Sequence, residues 1–138
     1  MKIPYEVSKM FKNGLCSFLA QRVAQKLEAK VALIYRNSFE AYGDYFDVND
    51  LLPLWTHCVV VLDDDHYLDI DGVSKECTLL QRWRWSDIYV LSEEEHETFF
   101  SQHQNYTRLQ DRPELCELWA DKLAAVVKER FVGCEIEF

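Results

Sequence analysis

The run His57-Cys58-Val59-Val60-Val61-Leu62, the triplet Asp63-Asp64-Asp65 and the run His66-Tyr67-Leu68-Asp69-Ile70 constrain this chain more than any other part of it. Two apolar segments flanking three turn-forming residues predict a β-hairpin. Side chains alternate across a strand, so His57, Val59 and Val61 share one face, and Asp69 and Asp71 share one face of the returning strand. If Leu62 pairs with His66 across the aspartates, His57 stands opposite Asp71 and diagonal to Asp69, both within reach of an imidazole. A slip of one residue carries both acids to the other face. Register therefore decides whether the histidine has an acidic partner, and which one.

Upstream, Leu15, Phe18, Leu19, Val23 and Leu27 recur at spacings of three and four, with Gln21, Arg22, Gln25, Lys26 and Glu28 between them. This pattern predicts an amphipathic helix. Asn13 is suited to cap it and Gly14 to let the chain enter tightly, which puts Cys16 in the first turn. Free N–H groups and the positive end of the helix dipole favour a thiolate at such a position.

The apolar run 30–36 predicts a strand, and the polar, aromatic stretch 37–50 a surface loop. Further on, a short helix is expected from Ser74 to Trp83 with Ser74 as its cap, then a strand over 87–91. Ser92-Glu93-Glu94-Glu95 reads as a capping box opening a helix that carries His96 and ends near His103. A last helix follows Pro113, with Leu115, Leu118, Trp119, Leu123, Val126 and Val127 on its apolar side. These elements predict a single α+β domain over residues 1–138. Its N-terminal helix packs on a small, mainly antiparallel sheet, and further helices lie toward the C-terminus.

Composition excludes several functions. With 49% apolar and 14% aromatic residues the chain lies outside the disordered regime. A formal net charge of -9, with no lysine- or arginine-rich stripe, argues against nucleic acid and against anionic membranes as partners. The densest basic stretch, Gln81-Arg82-Trp83-Arg84-Trp85, reads as a solvated segment with buried indoles. The cysteines at 16, 58, 77, 116 and 134 are odd in number and scattered, which suits reduced thiols and neither a disulfide framework nor a zinc site. Met1 to Glu6 is too short and polar for a signal h-region, so a cytoplasmic location is expected. No cofactor or metal is expected, since Asp63 to Asp65 lack the spaced ligands of a calcium loop.

A thiol at a helix start, an imidazole on a strand and a carboxylate on the next strand are the parts of an activated cysteine nucleophile. In that arrangement Cys16 attacks, His57 carries the proton, and Asp69, or alternatively Asp71, fixes the imidazole's tautomer. The Cys16 backbone N–H and the Asn13 side chain are the oxyanion candidates. Cys58, on the opposite strand face from His57, is expected in the core. A plain packing reading stays open beside this one. Cys16 also fits a core thiol, His57 a buried strand-end histidine, and the two acids solvated residues near a turn.

Gly14-Leu15-Cys16-Ser17-Phe18-Leu19-Ala20, Trp55-Thr56-His57-Cys58-Val59-Val60-Val61 and Tyr67-Leu68-Asp69-Ile70-Asp71-Gly72 resemble, in this order, the three motifs of the papain-like cysteine peptidase and amidase superfamily, particularly its small NlpC-type branch. The resemblance covers about residues 13–72. Leu15 stands where that branch usually carries an aspartate. What the resemblance implies is thiol-dependent hydrolysis or acyl transfer on a peptide or amide bond.

Two functions follow as expectations. One is a cysteine-dependent hydrolase or acyltransferase acting on a peptide or protein substrate, which requires sulfur, imidazole and acid to meet in one solvent-reachable pocket. The other is a non-enzymatic inhibitor, of the phage or mobile-element kind, that binds a basic protein partner through its acidic surface. The excess of 24 acids over 15 bases and the aromatic stretch from Phe39 to Phe46 suit the latter.

Overall fold

The computed structural model describes residues 1–12, 15–36, 55–103 and 113–138. Asn13, Gly14 and the expected surface loop, with Phe39 to Phe46, lie outside these described residues. In chain order the elements are α1 (Tyr5–Met10), α2 (Cys16–Leu27), β1 (Lys30–Arg36), β2 (Trp55–Val61), β3 (His66–Asp69) and β4 (Gly72–Lys75). They continue with α3 (Glu76–Arg82), β5 (Ser86–Val90), α4 (Glu93–His103), α5 (Pro113–Arg130) and β6 (Ile136–Glu137). The strands form one antiparallel sheet in the order β5-β1-β2-β3-β4-β6, and the fold is α+β.

Strand alternation divides the apolar residues between two layers. Val31, Leu33 and Tyr35 of β1, with Cys58, Val60 and Leu68, pack in the main core, to which α2 and α5 also contribute. Ala32, Ile34, Val59 and Tyr67 form a second, smaller core with Leu79 of α3. β1 is buried on both faces, which accounts for its nearly continuous apolar sequence.

α2 turns Cys16, Leu19, Ala20, Val23 and Ala24 inward, a stripe at helical spacing. Against it α5 buries Cys116, Trp119, Ala120, Leu123, Ala124 and Val127. The small residues Ala20, Ala24, Cys116, Ala120 and Ala124 set the phase of this seam. They leave Leu118, expected on the apolar side, half exposed at 50%. Lys26 Nζ joins the two helices at the rim, 2.6 Å from Glu117 and 2.7 Å from Asp121.

The expected capping box is present at the start of α4. Glu95 N donates to Ser92 Oγ at 3.2 Å, and Ser92 N donates to Glu95 Oε1 at 2.9 Å. The segment after the hairpin departs from expectation. Ser74 does not cap a helix; it is a buried strand residue opposite Tyr67, and α3 begins only at Glu76. β4 pairs along its whole length with β3, and β6 covers the start of its other edge, with Gly72 opposite Glu137 and Val73 opposite Ile136. Gly72 makes that approach possible, since its φ is +131° and a Cβ there would overlap the Ile136 carbonyl oxygen.

Candidate active site

Three elements converge at one end of the central strands. Cys16 is the first residue of α2, and Leu15, without a side-chain cap, takes the position expected for Asn13. The backbone N–H groups of the first helical turn have no intrahelical partner, so they point outward as donors beside the thiol.

The hairpin has the register that its turn predicts. Leu62 N donates to His66 O at 2.9 Å, Val61 pairs with Tyr67 and Val60 with Leu68. Asp63 closes the turn by accepting from Asp65 N at 2.9 Å and from His66 N at 2.8 Å. The ladder between β2 and β3 covers only these positions, and His57 lies beyond its end. There His57 Nε2 meets Asp69 Oδ2 at 2.9 Å, across the diagonal. Asp69 is itself oriented, because its Oδ1 accepts from Asp71 N at 2.8 Å.

Asp71, the alternative acid, is used elsewhere. Its carboxylate makes a 2.8 Å ion pair with Lys12 Nζ, at the end of the turn that follows α1. Asp71 lies in the turn beyond the end of β3, and Asp69 is the acid that holds the imidazole.

Burial alone would pull the His57 pKa down. The hydrogen bond to Asp69, with the influence of Cys16 and the Asp69 charge, outweighs burial and raises it to about 9. Cys16 and His57 line the same cavity, while Nδ1, the ring nitrogen that Asp69 leaves free, is buried and without a hydrogen-bond partner among the described residues. The Cys58 thiol is pushed well up by burial and then by the Cys16 charge, which keeps it protonated, and it lies in the core as expected.

Trp83 covers the imidazole. Its ring stacks on His57 with centroids 4.5 Å apart and planes 17° from parallel, a geometry that favours a protonated ring. Its place over the histidine is a tertiary event for which the local sequence carries no signal. The expectation of buried indoles holds only in part, because Trp83 is half-buried and Trp85 is 73% exposed.

The pocket is closed, contrary to the solvent-reachable one that the enzyme reading calls for. Cys16 is 4% and His57 1% exposed. The cavity where Cys16, His57 and Asp69 meet measures about 10 Å³, the space of one water molecule. Phe11, Leu19 and Leu123 complete its apolar wall.

Among the described residues no group of three or more histidine, cysteine, aspartate or glutamate side chains could hold a metal ion. All five cysteines are free thiols. No helix among the described residues is long and apolar enough to cross a membrane. No protein-family model, curated protein or solved structure matches the chain.

Proposed function

We propose that this chain is a cysteine-dependent hydrolase or acyltransferase of papain-like type, acting on a peptide or amide bond through Cys16, His57 and Asp69. What supports the reading is one observation: a helix-start thiol and a buried imidazole–carboxylate pair face the same small cavity. Each group has the environment its role needs. Cys16 is the first residue of α2, where backbone N–H groups lack intrahelical partners and are free to donate. His57 is held protonated by its neighbours, as the partner of a thiolate must be, and Asp69 fixes the ring.

In the reaction the Cys16 sulfur attacks the acyl carbon and the Cys16 backbone N–H donates to the developing oxyanion. His57 then passes its proton to the departing amine, leaving a thioester. Attack by water, deprotonated by His57, gives hydrolysis; attack by an amine gives transfer. The substrate reaches the sulfur only when the cavity wall yields. Phe11, the wall residue that directly follows α1, is carried by a helix that buries none of its own six residues, so the wall yields there most readily. The five free thiols suit a reducing, cytoplasmic setting.

The closed cavity favours a second reading, a papain-like scaffold without catalysis that serves as an acidic interaction protein. A peptide vinyl sulfone probe separates the two. Covalent labelling of Cys16 that disappears in a folded His57→Ala variant supports the enzyme. Absence of labelling, with partner binding retained by the Cys16→Ala, His57→Ala double variant, supports the binding protein.

A further inference from the structure

The protein is acidic as a whole, yet two exposed arginines, Arg36 and Arg84, flank the corner beside His57. The acid there, Asp87, lies opposite Tyr35 on the other sheet face. β1 and β5 set it out in register: Ile88 lies opposite Ile34, which lies opposite His57, and two residues further along Ser86 lies opposite Arg36. Alternation puts Arg36 on the same sheet face as Ile34 and His57, one strand repeat beyond them. The turn from α3 into β5 then brings Trp83 over the imidazole, followed directly by Arg84 and Trp85. Arg36, Arg84 and Trp85 are all exposed.

Three features set this corner apart. Among the described residues neither Arg36 nor Arg84 makes an ion pair. Arg82, by contrast, is close enough to Glu135 to act on its carboxyl, so it is already engaged. Trp85 is 73% exposed and holds a backbone φ of +63°, a conformation costly for a bulky L residue. A strained turn that displays an indole beside two arginines keeps the residue types that anchor interfaces out in solvent.

We infer that Arg36, Arg84 and Trp85 form the docking surface for an acidic peptide segment, which is the substrate class of the adjacent thiol site. The substrate assignment rests on the hydrolase reading, while the docking itself does not. Carboxylates of the segment pair with the two guanidinium groups, whose planar donors match them two by two. The indole packs on the peptide between them. The remainder of the surface, with its excess of acids, repels a misplaced acidic chain and so confines it to this corner.

The test measures fluorescence anisotropy of a short fluorescein-labelled peptide of alternating glutamate and glycine, beside its glutamine and lysine counterparts. It uses Cys16→Ala protein, so that binding is read without turnover. The glutamate peptide is expected to bind most tightly and to weaken as salt is added. Arg36→Glu with Arg84→Glu should weaken it by roughly tenfold or more, and Trp85→Ala by several-fold, in proteins whose circular dichroism is unchanged. Equal binding of the glutamate and glutamine peptides, or indifference to the charge reversals, overturns the inference. If the acidic peptide binds as expected while Cys16 of the native protein is never labelled by the vinyl sulfone, the docking surface stands and the hydrolase reading falls.

Discussion

His57 Nε2 and Asp69 Oδ2 lie 2.9 Å apart with both side chains almost wholly enclosed. A buried ionisable pair of this kind is costly to build and more costly to break, because removing one partner leaves the other uncompensated. Asp69→Asn keeps the shape of the carboxyl group and removes its charge. The His57 pKa should then fall below about 9, since burial, which lowers it, loses a main opponent. Titration of the ring resonances by NMR checks this, and an unmoved pKa would mean that Asp69 does not set the state of the imidazole. The accompanying loss of stability should be roughly 1–3 kcal/mol.

The same pair makes stability depend on pH with a definite sign. The folded pKa of His57, about 9, is raised from the ordinary 6.5, so the folded state binds the proton more tightly than the unfolded chain does. The stabilisation is complete below about pH 6.5 and is lost progressively as pH rises through 9. Urea midpoints measured from pH 6 to 10 should fall over this window. A His57→Asn variant, compared at the same pH values, should lack that component of the slope.

Phe11 is fully buried and lines the cavity beside Cys16. Phe11→Ala should enlarge that space at a cost of about 3–5 kcal/mol. It should also speed modification of Cys16 relative to the exposed Cys77 and Cys134, as followed by mass spectrometry on the folded protein. If the variant remains folded and Cys16 reacts no faster, the wall near α1 is not the route to the sulfur.

Trp83→Ala removes the half-buried ring stacked on His57. The loss of stability is expected near 2 kcal/mol, below that of a core tryptophan, from lost apolar contact and lost cation–π attraction. Hydrogen–deuterium exchange should show faster exchange in the first residues of β2, while the α2–α5 seam keeps its protection.

The sequence makes part of this site legible because that part is local. Leu62, three aspartates and His66 set a turn, the turn sets the register, and the register carries His57 to the diagonal of Asp69. The spacing of Leu19 and Val23 likewise phases α2 and delivers Cys16 to its inner face. Choosing between Asp69 and Asp71 is a tertiary matter, settled by Lys12 capturing Asp71. Ser74 pairs with Tyr67 in a tight β3–β4 hairpin whose far edge is covered by β6, and a serine before an apolar run does not by itself separate that strand from a helix start. The closed cavity is the hardest feature to foresee, because enclosure arises when α1 and α5 bring Phe11 and Leu123 over a site that the hairpin and α2 define.

Coupling of Cys16 to His57 is read out by iodoacetamide alkylation of the folded protein, with each cysteine followed by mass spectrometry in the native chain and in His57→Ala. That coupling predicts that Cys16 is alkylated in the folded native protein and more slowly in a folded His57→Ala variant, with Cys77 and Cys134 reacting equally in both. A Cys16 that stays unlabelled until the protein unfolds, as Cys58 should, would contradict it.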